Sequence, residues 1–217
     1  MSNSFAGRTV MITGAKGNLG RALAEAFEQR GAKVVPVDLP TNLLDQAQVD
    51  AVVQKAIRDF KRIDVLCNIA GGFRMGKPVH ETADADWNFL MDLNARTVLH
   101  TARAVAPHMI AAGGGKIVNV GAFAAQKGAA NMGAYIASKS AVMRLTEAMA
   151  AELREKNINV NCVLPTIIDT PANRADMPQA DPQRWVAPAD LANVIVFLCS
   201  DEARAIHGAT LPVTGLS

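Results

Sequence analysis

The sequence predicts an α/β fold: a doubly wound parallel sheet with helices packed on both of its faces. Two observations carry the prediction. Short β-branched runs alternate with longer helical patterns along the whole chain, the order that parallel strands joined by right-handed helical crossovers produce. The second is bulk composition, since 217 residues at 50% hydrophobic and 19% charged describe one compact unit with a large core. Residues 1–217 are therefore expected to form a single domain. No repeat, low-complexity segment or Pro/Gly-rich linker interrupts them.

Taken in order, a strand is expected at 9–13 (TVMIT), followed by a helix at about 19–29. The run KVVPVD gives a second strand at 33–38, and a helical pattern fills 47–60. DVLCN predicts a strand at 64–68, ahead of one long helix over 85–111. The triple glycine at 113–115 reads as a helix stop before the strand KIVNV at 116–120. A second long helix spans about 134–155, and NVNCV marks a strand at 159–163. A helix at 188–200 and a last strand near 210–213 complete the pattern. One gap is abnormal. Only LPTNLLD separates the second strand from the next helix, too few residues for the dozen or so that a parallel crossover needs. The third strand of a full doubly wound sheet, with its helix, is expected to be reduced or lost.

Composition excludes several classes of function. With 22 basic against 20 acidic residues, no basic run and few aromatic side chains, the chain has no footprint for nucleic acid or an anionic membrane. No apolar segment is long enough to span a bilayer, and no charged leader precedes an apolar one, so a cytoplasmic protein is expected. Cys67, Cys162 and Cys199 each lie in an apolar run and share no ligand spacing; they read as buried reduced thiols. His80, His100, His108 and His207 are scattered, so no metal is expected. The nine methionines read as core or subunit-contact residues.

The stretch TGAKGNLG, 13–20, follows a strand and opens a helix. Glycines in such a turn let the backbone approach a pyrophosphate, which then sits on the positive end of the helix. Gly14, Lys16, Gly17, Asn18, Leu19 and Gly20 are thus candidate cofactor-binding residues of a Rossmann-type sheet. Asp38, at the end of the second strand, is placed to accept hydrogen bonds from the adenosine ribose hydroxyls and to repel a 2′-phosphate. NAD(H) is therefore expected over NADP(H), with Lys16 softening the preference.

Further on, GAYIASKS sets Tyr135 and Lys139 four residues apart on one helix face. A free tyrosine titrates near pH 10; a neighbouring ammonium and the positive nicotinamide are expected to stabilise its phenolate and bring it into working range.

Together with CNIAG at 67–71, LNARTVLHTARA with Asn94, GKIVNV, YIASK, VNCVLP and IIDTP, these motifs resemble the short-chain dehydrogenase/reductase family over essentially the whole chain. The resemblance implies that Tyr135 is the proton donor or acceptor and that Lys139 assists it and holds the nicotinamide ribose. It implies that Asn94 positions a water linking Lys139 to solvent. Asn68, Ala70 and Gly71 are implied on the adenine side, Ile168 and Thr170 at the nicotinamide carboxamide, and Pro165 among the cofactor-binding residues. A small-molecule substrate is implied, and a homodimer or homotetramer in which the two long helices pair across a twofold axis through residues such as Leu90, Leu93, Val98, Leu99, Val105, Val142, Met143, Leu145 and Met149.

The departures are as informative. Asn18 stands where the family's first motif carries glycine. Thirteen residues before the tyrosine, where the family places a substrate-holding serine, this chain has Ala122, and Ser138 matches a packing serine instead. A donor at such a position supplies roughly 3 kcal/mol of transition-state stabilisation, so a chain without it is expected to act on an intrinsically reactive substrate unless Thr166 or a backbone N–H substitutes. The dihydropteridine reductase branch shares this peculiarity, and AGGF at 70–73, the 121–135 stretch and 163–185 look like that branch. Thr166 replaces the glycine after Pro165, and the segment up to Pro188 is short, which predicts a truncated lid over an open site. Trp185, Phe73 and Phe123 are candidate walls, with core or surface filling as the competing reading of each. The alternative is a catalytically silent NAD(H)-binding redox sensor.

Overall fold

The structure, a computed structural model, describes residues 4–217. β1 (Thr9–Thr13) is buried at every position, and the reason lies in its pattern: Val10 and Ile12 point into one core while Met11 points into the other. α1 (Asn18–Glu28) follows, and β2 (Lys33–Val37) returns as an edge strand with two of its five residues exposed. α2 (Gln46–Phe60) is capped by the Asp45 carboxylate, which accepts from the Ala47 and Gln48 N–H groups, and it ends at Lys61 in the left-handed region. β3 (Val65–Asn68), α3 (Asp84–Met91), α4 (Thr97–Ala111), β4 (Gly115–Val120) and α5 (Gly133–Leu153) come next. β5 (Ile158–Pro165), α6 (Pro171–Asp176), α7 (Pro188–Cys199) and β6 (Thr210–Val213) end the chain.

All six strands run parallel in the order β2-β1-β3-β4-β5-β6. The eight residues between β2 and α2 hold no strand, so β2 stays at the edge and the third strand expected to be reduced or lost is not in the sheet. α1 and α7 cover one face, packing Leu23, Phe27, Leu191 and Ile195 on Ile12, Val65 and Val163. α2, α4 and α5 cover the other, packing Val53, Val105, Met109 and Ala150 on Leu66, Ile117 and Val160. Chain direction across the sheet reverses between β1 and β3, so the crevice beyond the carboxyl ends of these strands is where such a sheet takes a ligand.

Three expectations are corrected. The helix over 85–111 is unbroken but not α throughout: a π-helical turn, Asp92–Arg96, joins α3 to α4. α6 lies in the segment expected to be only a short lid, started by Thr170, whose hydroxyl accepts from the Asn173 N–H, and by Pro171 in the first turn. Most of the residues expected to pair helices between subunits are internal: Leu90, Val98, Val105, Val142 and Met143 are buried in the core, whereas Leu99 and Ile110 of α4 are exposed.

Polar side chains within the sheet are satisfied among themselves. Thr101 donates to Asn68 Oδ1 (2.8 Å), Asn68 Nδ2 to Asn119 Oδ1 (2.9 Å), and Asn119 Nδ2 to Thr146 Oγ1 (2.9 Å), a buried ladder running from α4 through β3 and β4 to α5. Among the described residues no buried side-chain nitrogen or oxygen lacks a partner, and no helix is long and apolar enough to cross a membrane. All three cysteines are free and buried.

Because Asn119 serves two neighbours, Asn119→Ala leaves Asn68 and Thr146 short of a partner and opens a small cavity. A loss of about 2–4 kcal/mol in urea-unfolding free energy is expected. A loss below about 0.5 kcal/mol, the range of an ordinary surface change, would show that the ladder contributes nothing.

Candidate functional site

A cleft of about 1630 Å³ opens at the carboxyl end of the sheet. Its floor begins with the turn after β1. Gly14 adopts φ +67, and a Cβ there would lie 2.9 Å from the Ala70 backbone, so only glycine lets the two strand exits meet. They are drawn together by Thr13, whose hydroxyl accepts from the Ile69 and Ala70 N–H groups at 3.1 and 3.2 Å. α1 then starts at Asn18 with Gly17 as its cap residue and no side chain closing its first turn, and a Cβ on Gly20 would overlap the Gly14 carbonyl. The result is a cradle of backbone floored by glycine, with unclosed N–H groups at the positive end of a helix. Gly14, Lys16, Gly17, Asn18, Leu19 and Gly20 all line it. Asn18 has an ordinary helical backbone, so side chain replaces glycine there without strain and adds a polar carboxamide to the cradle wall.

At one end of the cleft the Asp38 carboxylate is fixed from behind. One oxygen accepts from the Lys16 N–H and the other from the Leu39 N–H, both at 2.8 Å. A carboxylate has roughly four acceptor sites, so two remain for a ligand. The Lys16 ammonium does not pair with Asp38; it donates to the Leu39 carbonyl at 2.7 Å.

At the other end stand Tyr135 and Lys139, on the first two turns of α5. The Lys139 ammonium is buried and donates to the Val120 carbonyl at the end of β4 (2.9 Å). Asn94, in the π turn, uses its whole carboxamide: Oδ1 accepts from the Gly72 N–H (2.9 Å), and Nδ2 donates to the Gly72 carbonyl (3.1 Å) and to the Ser138 hydroxyl (3.0 Å). Ser138 in turn donates to the Tyr135 carbonyl (2.7 Å). Gly71 closes over this group so tightly that a Cβ would sit 2.8 Å from Asn94 Oδ1 and 3.1 Å from the Lys139 nitrogen.

Burial sets the protonation of the pair. It pushes the Tyr135 phenol up to about 12, and it pulls the Lys139 ammonium down to about 8, the nearby Cys162 opposing slightly. In the free chain desolvation wins, with Lys139 tied to a carbonyl; the expected lowering of Tyr135 belongs to the chain with the positive nicotinamide beside it. At neutral pH the phenol keeps its proton, and Lys139, still mostly protonated, gives its proton up more readily than an exposed lysine does.

Ala70, Gly71, Pro165, Ile168 and Thr170 line the cleft as expected, but two predicted residues do not. Asn68 is turned into the buried ladder and Asn94 lies behind the floor, so each orders the site without facing it. Phe73 and Phe123 are walls, and Phe73 sits edge-on against Tyr135 with ring centroids 4.9 Å apart; Trp185 is core. Ala122 lines the cleft and brings no hydroxyl there. Gly72, Ser138 and the Val120 carbonyl were missed: two act through main-chain atoms, which leave no mark in a sequence, and Ser138 meets Asn94 only because the fold joins positions 44 apart.

The family described as enoyl-(acyl carrier protein) reductase matches residues 5–215. The 2-dehydro-3-deoxy-D-gluconate 5-dehydrogenase of Escherichia coli K12 is 32% identical, covering 98% of this chain and 96% of its own. Dehydrogenase/reductase SDR family member 6 of Aquarana catesbeiana is 31% identical over 93% of this chain and 94% of its own. Among solved structures, carveol dehydrogenase from Mycobacterium avium in complex with NAD superposes with a TM-score of 0.89 at 27% identity, covering 98% of both chains.

Tyr135 is the only tyrosine, so near-ultraviolet difference absorbance reads it alone. In the folded protein at pH 10, where an exposed phenol is half ionised, only a small fraction of the tyrosinate signal is expected, because the folded pKa is raised. A half-maximal signal at or below pH 10, with circular dichroism showing the fold intact, would contradict this.

Proposed function

The chain belongs to the short-chain dehydrogenase/reductase family, an oxidoreductase family, and on that premise we propose that it is an NAD(H)-dependent enzyme acting on a small, flat, intrinsically reactive carbonyl or quinonoid substrate. The observation that carries the reading is that one cleft joins the Asp38 carboxylate, the glycine-floored cradle and the Tyr135–Lys139 pair, while position 122 offers no hydroxyl. A dinucleotide fits what is present: two free acceptor sites on Asp38 suit ribose hydroxyls, and the cradle suits a pyrophosphate. A nicotinamide bound at the Tyr135 end supplies or takes up the hydride.

The chain's own residues handle the proton. With its pKa raised by burial, Tyr135 holds its proton at neutral pH and stands ready as the acid that a reduction requires. Oxidation needs the phenolate, so its rate should rise with pH until the tyrosine in the loaded enzyme is ionised. Lys139, eased toward the neutral amine, donates to Val120 and so stays beside the tyrosine. Asn94 and Ser138 act as positioning residues for the first turn of α5. A silent redox sensor would need none of this pair, and its retention favours an enzyme.

At the substrate end Phe73, Phe89, Phe123 and Met132 give an apolar lining, and the Arg74 cation is occupied by Asp86 (2.9 Å) and by the Phe89 ring (4.1 Å). That lining and Ala122 support a flat substrate that is held by stacking. A dihydropteridine reductase-like substrate is the version of the reading that these features favour; the relatives above carry the names of other substrates. The exposed Leu99 and Ile110 of α4 support pairing into a homodimer or homotetramer.

NADH is expected to bind more tightly than NADPH in calorimetric titrations, and Asp38→Ala to narrow the gap; equal or tighter NADPH binding by the unaltered protein would sink the preference. On a panel of quinonoid dihydropterin, quinones and simple ketones, Tyr135→Phe should remove most activity. Ala122→Ser should leave the reactive substrates nearly unchanged while raising ketone turnover by no more than roughly 3 kcal/mol of barrier, about a hundredfold. Ketone reduction by the unaltered protein at the rate of a serine-bearing relative would refute the reactive-substrate reading.

A further inference from the structure

Thr166 lines the cleft where the family resemblance expects glycine, yet its hydroxyl is committed elsewhere. It donates to the Thr214 carbonyl (3.0 Å) and shares a hydrogen bond with the Ser217 hydroxyl (2.8 Å), while its N–H donates to the Val213 carbonyl (3.2 Å). The other end of the same excursion is tied to the same segment. The Leu216 N–H donates to the Arg184 carbonyl (2.9 Å), and Arg184 Nη2 donates to the Leu216 carbonyl (2.7 Å). Between these contacts Gly215, at φ 59, passes so close that a Cβ would lie 3.0 Å from the Arg184 carbonyl oxygen. Inside the excursion the Val186 N–H donates to the Ile167 carbonyl (2.9 Å) and the Asp169 N–H to the Val186 carbonyl (2.8 Å), so its two ends are also joined to each other.

We propose that Thr166 is a positioning residue: through residues 213–217 it clamps both ends of the 166–186 segment and thereby fixes Ile168 and Thr170 against the nicotinamide end of a bound dinucleotide. The dinucleotide part of this rests on the NAD(H) reading above; the clamp itself does not. Motion is then confined to the stretch around α6, whose Asn173 and Met177 also line the cleft. A hydroxyl at position 166 is what makes the clamp, because glycine keeps the N–H bond to Val213 but loses the links to Thr214 and Ser217.

The test uses Thr166→Val, Thr166→Ser and Ser217→Ala, with NADH and AMP as titrants and amide hydrogen exchange of 167–186 in the free protein. Thr166→Val should weaken NADH binding about fivefold to tenfold, speed exchange at Asp169 and Val186, and leave AMP, which reaches only the Asp38 end, unchanged. Thr166→Ser should restore both readouts, and the exposed Ser217→Ala should shift them in the same direction as valine but less. Wild-type exchange and NADH affinity in both Thr166→Val and Ser217→Ala would overturn the proposal, as would an equal weakening of AMP, which marks general loosening. If the unaltered protein binds no NADH, the cofactor reading falls while exchange alone decides the clamp: faster exchange reversed by serine upholds it, and unchanged exchange removes it.

Discussion

The carboxamide of Asn94 is the joint on which the site depends. It sits 1% exposed, where an unpaired amide costs about 1–3 kcal/mol, and it meets this constraint by bonding the loop after β3 on one side and α5 on the other. Through Gly72 it fixes the turn that carries Phe73 onto the tyrosine ring; through Ser138 it fixes the carbonyl of Tyr135 itself. A regular helix from 84 to 111 would not make this possible. The π turn at Asp92–Arg96 inserts one residue into the ladder and holds Asn94 beside α5, and functional sites are a frequent setting of such turns.

The same logic of closed hydrogen bonding governs the polar residues near the carboxyl ends of β1, β3 and β4. Both faces of a parallel sheet are covered, so Thr13, Asn68 and Asn119 must find partners inside the protein. Thr13 takes the N–H groups of Ile69 and Ala70, and the two asparagines take each other and the threonines of α4 and α5. These bonds hold the strand exits in register, and the cleft is the gap those exits leave where the chain reverses across the sheet. Stability and site geometry therefore rest on the same side chains.

Much of this was legible in the residue order. β1 and β6 fall at the expected positions because TVMIT and the run near 210 are bounded by turn residues, and the missing third strand followed from counting the residues of LPTNLLD. The cradle and Tyr135–Lys139 were legible because local spacing encodes them: a turn of glycines and an i,i+4 pair need no tertiary knowledge. What escaped depends on contacts between distant positions or on main-chain atoms. Nothing in the string says that Asn94 reaches Ser138, that Asn68 turns inward, or that Val120 offers its carbonyl to Lys139. Helix periodicity also cannot separate a regular helix from one that contains a π turn, since apolar residues persist on both sides of the turn.

The alanine at 122 and the burial of Tyr135 are two faces of one condition. A hydroxyl at 122 would bring a dipole and a hydrogen-bond partner to the tyrosine's side of the cleft; alanine, together with the Phe73 ring, keeps that side apolar. An apolar surround disfavours the phenolate, which is why the phenol is pushed up to about 12 although a lysine lies one helical turn away. Such a tyrosine is a weak acid, so it delivers its proton to the base that hydride transfer creates and does little to polarise the acceptor beforehand. An ordinary ketone needs its carbonyl polarised first. A conjugated acceptor that gains aromatic or hydroquinone character on reduction does not, which is how the alanine at 122 bears on the reactive substrate proposed above.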